Sequence, residues 1–96
     1  MELTEITDND ALCCAKLIGI ESDFTIERFN EKQRDCGGIR IKGKSGKSNY
    51  ILIIYFNNSN TRIYLNGFEV IDFCWEIYDY LKSKGYVINR RSRLKL

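Results

Sequence analysis

The strongest hydrophobic periodicity in the chain runs from Phe68 to Lys84. Glu69, Asp72, Glu76 and Asp79 recur at spacings of three, four and three, which gathers them on one polar stripe of a helix. Val70, Cys74, Ile77 and Leu81 form the opposing seam, and Ile71, Phe73, Trp75, Tyr78 and Tyr80 widen it. Lys82 and Lys84 suit the negative end of the helix dipole, and Gly85 can close it. A shorter helix is predicted over 9–18. Thr7 can cap it, Asp10 stands three residues on as a short form of the capping box, and Ala11, Leu12, Cys14, Ala15 and Ile18 share a face. Gly19 is its expected stop.

Between the helices the period changes to two. Phe24 and Ile26 alternate with Thr25 and Glu27, which predicts a strand over 23–29. Residues 30–38 are polar and end in Cys36-Gly37-Gly38, read as a loop. Ile39-Arg40-Ile41-Lys42 alternates like a half-buried strand, and 43–48 (GKSGKS) reads as a flexible connection. Residues 49–56 are apolar on both faces, as a central strand is. Residues 57–60 fit a hairpin loop, and 61–65 (TRIYL) alternates again. Asn66-Gly67 is expected to break the sheet before the long helix, and Tyr86-Val87-Ile88 could add a short edge strand. The predicted fold is α+β, in the order α-β-β-β-β-α. An antiparallel three- or four-stranded sheet carries two helices packed on one face. Residues 1–88 form the domain and 89–96 a basic tail.

Ninety-six residues suit one domain, and 44% apolar with 12% aromatic residues exclude a disordered chain. The acidic start, Met1 to Asp10, is unlike an export signal. The longest strongly apolar run, Tyr50 to Phe56, is seven residues, against the roughly 20 of a membrane-spanning helix. The expectation is a cytoplasmic protein with reduced cysteines and no membrane partner.

Several chemical motifs are present only in outline. Gly38 to Ser45 satisfies the phosphate-loop pattern G-x-x-x-x-G-K-[ST]. Its middle residues alternate like a strand, however, and a β-forming run follows where the motif needs a helix N-terminus to face the phosphate. Cys13, Cys14, Cys36 and Cys74 lack the close pairing of zinc ligands, and the chain has no histidine. Cys14 and Cys74 fit small core positions, whereas Cys36, near Arg34, is the thiol most open to activation. The four carboxylates at 69, 72, 76 and 79 lie along one helix rather than facing each other across a cleft. No enzyme, cofactor or metal is therefore expected.

Charge is arranged in blocks. Residues 1–31 hold eight acids and two bases, and residues 32–66 hold one acid and seven bases. In 67–96 four acids precede six bases. If Ile39, Ile41, Ile63 and Leu65 face the helices, Arg40, Lys42, Arg62 and Tyr64 face away. One alternate set from the central strand joins them: either Tyr50, Leu52, Ile54 and Phe56, or Ile51, Ile53 and Tyr55. Aromatic groups among cations suit a protein interface, and they also suit stacked bases beside phosphates. Lys44 and Lys47 in the loop and Arg90, Arg91 and Arg93 in the tail add cations. The α-β-β-β-α portion resembles double-stranded-RNA-binding domains in element order. Those domains place lysines at the start of the last helix, where this chain has Phe68, Glu69 and Asp72. Small α+β chains with segregated charge also resemble, in style, inhibitors that phages and mobile elements make against host defence. The first expectation is a non-catalytic protein-binding module, an inhibitor or adaptor, working through the basic and aromatic sheet face and the acidic helix stripe. Self-association is open to it, since it carries both signs of charge. The alternative is a module for RNA or single-stranded DNA using the same face, the loop and the tail.

Overall fold

The computed structural model describes residues 6–31, 36–57, 61–69 and 75–88. Helix α1 spans Asp8–Leu17, strands β1 to β5 span Ser22–Glu31, Cys36–Ser45, Ser48–Asn57, Thr61–Leu65 and Phe68–Glu69, and helix α2 spans Trp75–Ser83. The strands lie side by side in chain order, each antiparallel to the next. The α+β order and the antiparallel meander are those the periodicity predicts.

Helix α1 starts where its cap dictates. Thr7 has extended backbone, and its hydroxyl accepts from the Asp10 amide at 3.1 Å. Asp8 and Asp10 sit at the positive end of the dipole and Lys16 at the other. Gly19 and Gly85 follow the two helices at their predicted stops.

Cross-strand register decides which side chains share a face. Ile26, Ile41, Leu52 and Leu65 stand level across four strands, and Ile39, Ile54 and Ile63 form the neighbouring row. Ile39, Ile41, Leu52, Ile54 and Ile63 are fully buried against Ala11, Cys14 and Ala15 of α1 and Ile77, Tyr78 and Leu81 of α2. Ile6, Ile20 and Tyr86 complete this core. Each large aliphatic side chain removed from water contributes about 1.5–3 kcal/mol, so this one layer holds the domain together.

The long helix predicted from Phe68 is corrected at its start. Phe68–Glu69 is strand β5, and α2 is helical over Trp75–Ser83. Residues 70–74, with Val70, Ile71, Asp72, Phe73 and Cys74, lie outside the described residues. The cause is local: Asn66 and Gly67 take φ values of 51° and 87°, the backbone of a two-residue hairpin turn. Asn66 also ties the turn to β3. Its side-chain oxygen accepts from the Ile51 amide at 2.8 Å, and its own amide donates to the Ile51 carbonyl at 2.9 Å. The chain therefore reverses at Asn66-Gly67 and extends the sheet instead of leaving it.

Four further expectations change. Cys36-Gly37-Gly38 and Gly43-Lys44-Ser45 belong to β2, so only Gly46 and Lys47 remain of the supposed flexible connection. The phosphate-loop match is thereby a continuous strand. Residues 86–88 form no strand; Tyr86 instead turns into the core. Trp75, assigned to the apolar side of the second helix, is 52% exposed at its first turn. Residues 58–60 of the expected loop and the basic tail 89–96 lie outside the described residues. Among the described residues no helix is long and apolar enough to cross a membrane.

Candidate binding face

Strand alternation turns a second set of side chains away from the helices. Arg40 and Lys42 come from β2, Ile51, Ile53 and Tyr55 from β3, and Arg62 and Tyr64 from β4. Of the two sets open for the central strand, Leu52 and Ile54 go to the core and Ile51, Ile53 and Tyr55 to this outer face. β1 adds Glu27 and Phe29, level with Arg40 and Gly38.

An aromatic row crosses this face. The rings of Phe29 and Tyr55 meet edge to face with centroids 5.3 Å apart, and Tyr55 meets Tyr64 in the same manner at 5.4 Å. Phe29 stands on β1 and Tyr55 on β3, so the Phe29 ring must cross β2. Gly38 makes the crossing open, because any Cβ there would run into that ring and stand 2.9 Å from the Ile54 carbonyl oxygen. Gly38→Ala is accordingly expected to cost about 1–3 kcal/mol. It should also move the Phe29 ring off Tyr55, which the ring-proton NMR shifts of both residues would report.

Charges on the face are largely matched within the chain. The Arg40 guanidinium donates to the Glu27 carboxylate at 3.0 Å and lies 5.7 Å from the Phe29 ring centroid. The Lys42 ammonium is 3.5 Å from the same carboxylate, and Lys44 is 3.9 Å from Asp23. These cations hold the Glu27 carboxyl below the usual carboxylate range, Arg40 through its hydrogen bond first and then Lys42. The acid-rich first block thus supplies β1, which lies directly beside the base-rich β2. Lys47 stands exposed in the β2–β3 turn.

The acidic stripe is only partly assembled. Glu76 and Asp79 are exposed on α2, Glu69 belongs to β5, and Asp72 lies outside the described residues, as do Arg90, Arg91 and Arg93. Because α2 packs on the core side of the sheet, Glu76 and Asp79 are not part of the aromatic face. Cys14 is buried beneath α1, and its thiol is pushed up to about 12, chiefly by burial and secondarily by the Asp10 charge. It serves packing rather than nucleophilic chemistry. Among the described residues no three metal-ligating side chains cluster.

Glu27 and Phe29 are the members of this face that sequence periodicity left unassigned. The backbone alternation runs on unbroken to the end of β1 while the polarity pattern reverses: Arg28 takes a core-side position and Phe29 an outward one. Arg28 is accommodated there because its guanidinium reaches the Asp8 carboxylate at 2.6 Å, at the start of α1. Counting strictly by two from Thr25 and Glu27 would have placed Phe29 outward.

No family model matches the chain, no curated protein matches its sequence, and no solved structure matches its fold.

Proposed function

We propose that this chain is a non-catalytic protein-binding module, an inhibitor or adaptor, that docks through the outer face of its sheet. The observation that carries this reading is the row of Phe29, Tyr55 and Tyr64, flanked by Ile51 and Ile53, on the side of the sheet opposite both helices. Ile51 remains 38% exposed. Aromatic and aliphatic groups at the centre with arginines around them are the composition that supplies most binding energy at protein interfaces.

Two features favour a protein over a nucleic acid. Bases stack on the flat faces of exposed rings, whereas here the rings meet edge to face, so ring surface is spent on a neighbouring ring. Phosphates need available cations, and Arg40, Lys42 and Lys44 each have a carboxylate of β1 beside them. The same pairing argues against acid–base catalysis at this face, since Glu27 and Asp23 are held by cations.

The full chain should capture a defined protein from its native host. Ile53→Asp should lose that partner, and Glu76→Lys, on the opposite side, should keep it. Equal capture by wild type and Ile53→Asp, together with unchanged self-association, defeats the reading. Retention of RNA or DNA oligonucleotides that falls log-linearly as salt rises would establish the nucleic-acid alternative instead.

A further inference from the structure

We infer that the outer face binds a second copy of this chain, sheet against sheet, about a two-fold axis parallel to the strands between β2 and β3. This rests on the reading of that face as a protein-binding surface and names one occupant for it.

The complementarity comes from the register. Phe29, Gly38, Tyr55 and Arg62 stand level across β1 to β4, and Glu27, Arg40, Ile53 and Tyr64 form the next level on the same face. A two-fold axis along the strands keeps each level and reverses the strand order, so β1 of one copy lies over β4 of the other and β2 over β3. The Phe29 ring, which lies over Gly38 of β2, then meets Tyr55 of the second copy, one aromatic ring against another. Glu27 meets the Tyr64 hydroxyl of the second copy, a carboxylate against a donor. Ile53 meets the aliphatic stem of the second copy's Arg40, whose charge stays on Glu27. No cation is set directly opposite a cation. The interface is isologous, as a closed dimer requires, and aligned packing of two twisted sheets keeps strand directions within about 30°. The product has four layers, with helices outside and two sheets within, which covers the apolar row that one copy leaves in water.

The chain should sediment at twice the protomer mass at high concentration and dissociate on dilution. Ile53→Asp should abolish the dimer. Arg62→Glu, an exposed substitution that leaves the core untouched, should weaken dimerisation at least tenfold by setting a carboxylate near Glu27 of the second copy. Circular dichroism of both variants should match wild type. A chain that stays monomeric at every concentration, or a dimer indifferent to both substitutions, overturns the inference. A monomer that captures a host protein lost by Ile53→Asp overturns this inference alone; the broader reading of the face fails when Ile53→Asp changes neither self-association nor the host proteins captured.

Discussion

Replacing Ile54 by alanine is expected to lower the unfolding free energy by about 3 kcal/mol, while the same change at the adjacent Ile53 costs under about 1 kcal/mol. The two residues are chain neighbours of identical chemistry. Ile54 is fully buried under the helices, level with Ile39 and Ile63, so its truncation leaves a cavity that the close-packed layer cannot refill. Ile53 points to the opposite face, keeps part of its surface in water, and is level with Arg40 and Tyr64. A domain of this size is stable by about 5–15 kcal/mol at most, so the first change removes a large share of that total. Urea unfolding would show a lower midpoint for Ile54→Ala with an unchanged slope, and a midpoint near wild type for Ile53→Ala. Equal losses at the two positions would mean that the faces of the central strand are misassigned, and the binding face with them.

The second large effect is expected at Asp10. Its carboxylate accepts from the Tyr86 hydroxyl at 2.6 Å and the Tyr80 hydroxyl at 2.9 Å, joining the first turn of α1 to α2 and to the segment after it. Asp10→Ala leaves both hydroxyls without that acceptor. Hydrogen bonds to a charged group contribute about 1.5–3 kcal/mol each, and partial exposure puts these at the low end, so a loss of about 2–3 kcal/mol is expected. The Asp10 carboxyl is held below its ordinary range, first by the Tyr86 hydroxyl, with Tyr80, Thr7 and Lys84 adding to it against the opposing effect of burial. Its folded pKa is thus lower than its unfolded one. The stabilisation is complete above the unfolded value of about 3.9 and is lost as pH falls through the folded value.

The tyrosines carry the opposite sign. Tyr86 is shifted up, by burial first and then by its bond to Asp10, and Tyr80 is shifted up by its neighbours Cys13 and Asp10 together with burial. Their contribution is complete below the unfolded tyrosine value of about 10 and is lost as pH rises through the folded values. A plot of melting temperature against pH should therefore fall at both ends. Asp10→Asn should flatten the acid limb, and an acid limb as steep as wild type would show that Asp10 is not responsible for it.

Much of this architecture was legible in the chain. Thr7, Asp10 and Gly19 bound the first helix correctly because capping is a contact between residues three or four apart. The alternation in IRIK and TRIYL placed Arg40, Lys42, Arg62 and Tyr64 on one face, because side chains on a strand have only two sides to choose between. The second helix was read too early because an i, i+3, i+4 pattern of acids from Glu69 is indifferent to the turn before it. Asn66-Gly67 is a strong two-residue hairpin signal, and given its weight it would have predicted β5.

The charge blocks show where sequence reading ends. Acid-rich and base-rich stretches of a chain suggest two surfaces of opposite sign. Folding instead laid β1 antiparallel to β2, so Glu27 and Asp23 meet Arg40, Lys42 and Lys44, and what distinguishes the outer face is its aromatic row. The sequence by itself determined the α-β-β-β-β-α order and the sides of β2 and β4 that enter the core, since both depend on interactions a few residues long. Which central-strand set faces outward, which charges cancel, and how Phe29 comes to touch Tyr55 across Gly38 were decided by strand register alone. Register couples residues many positions apart, and it is set by burying one whole face at once.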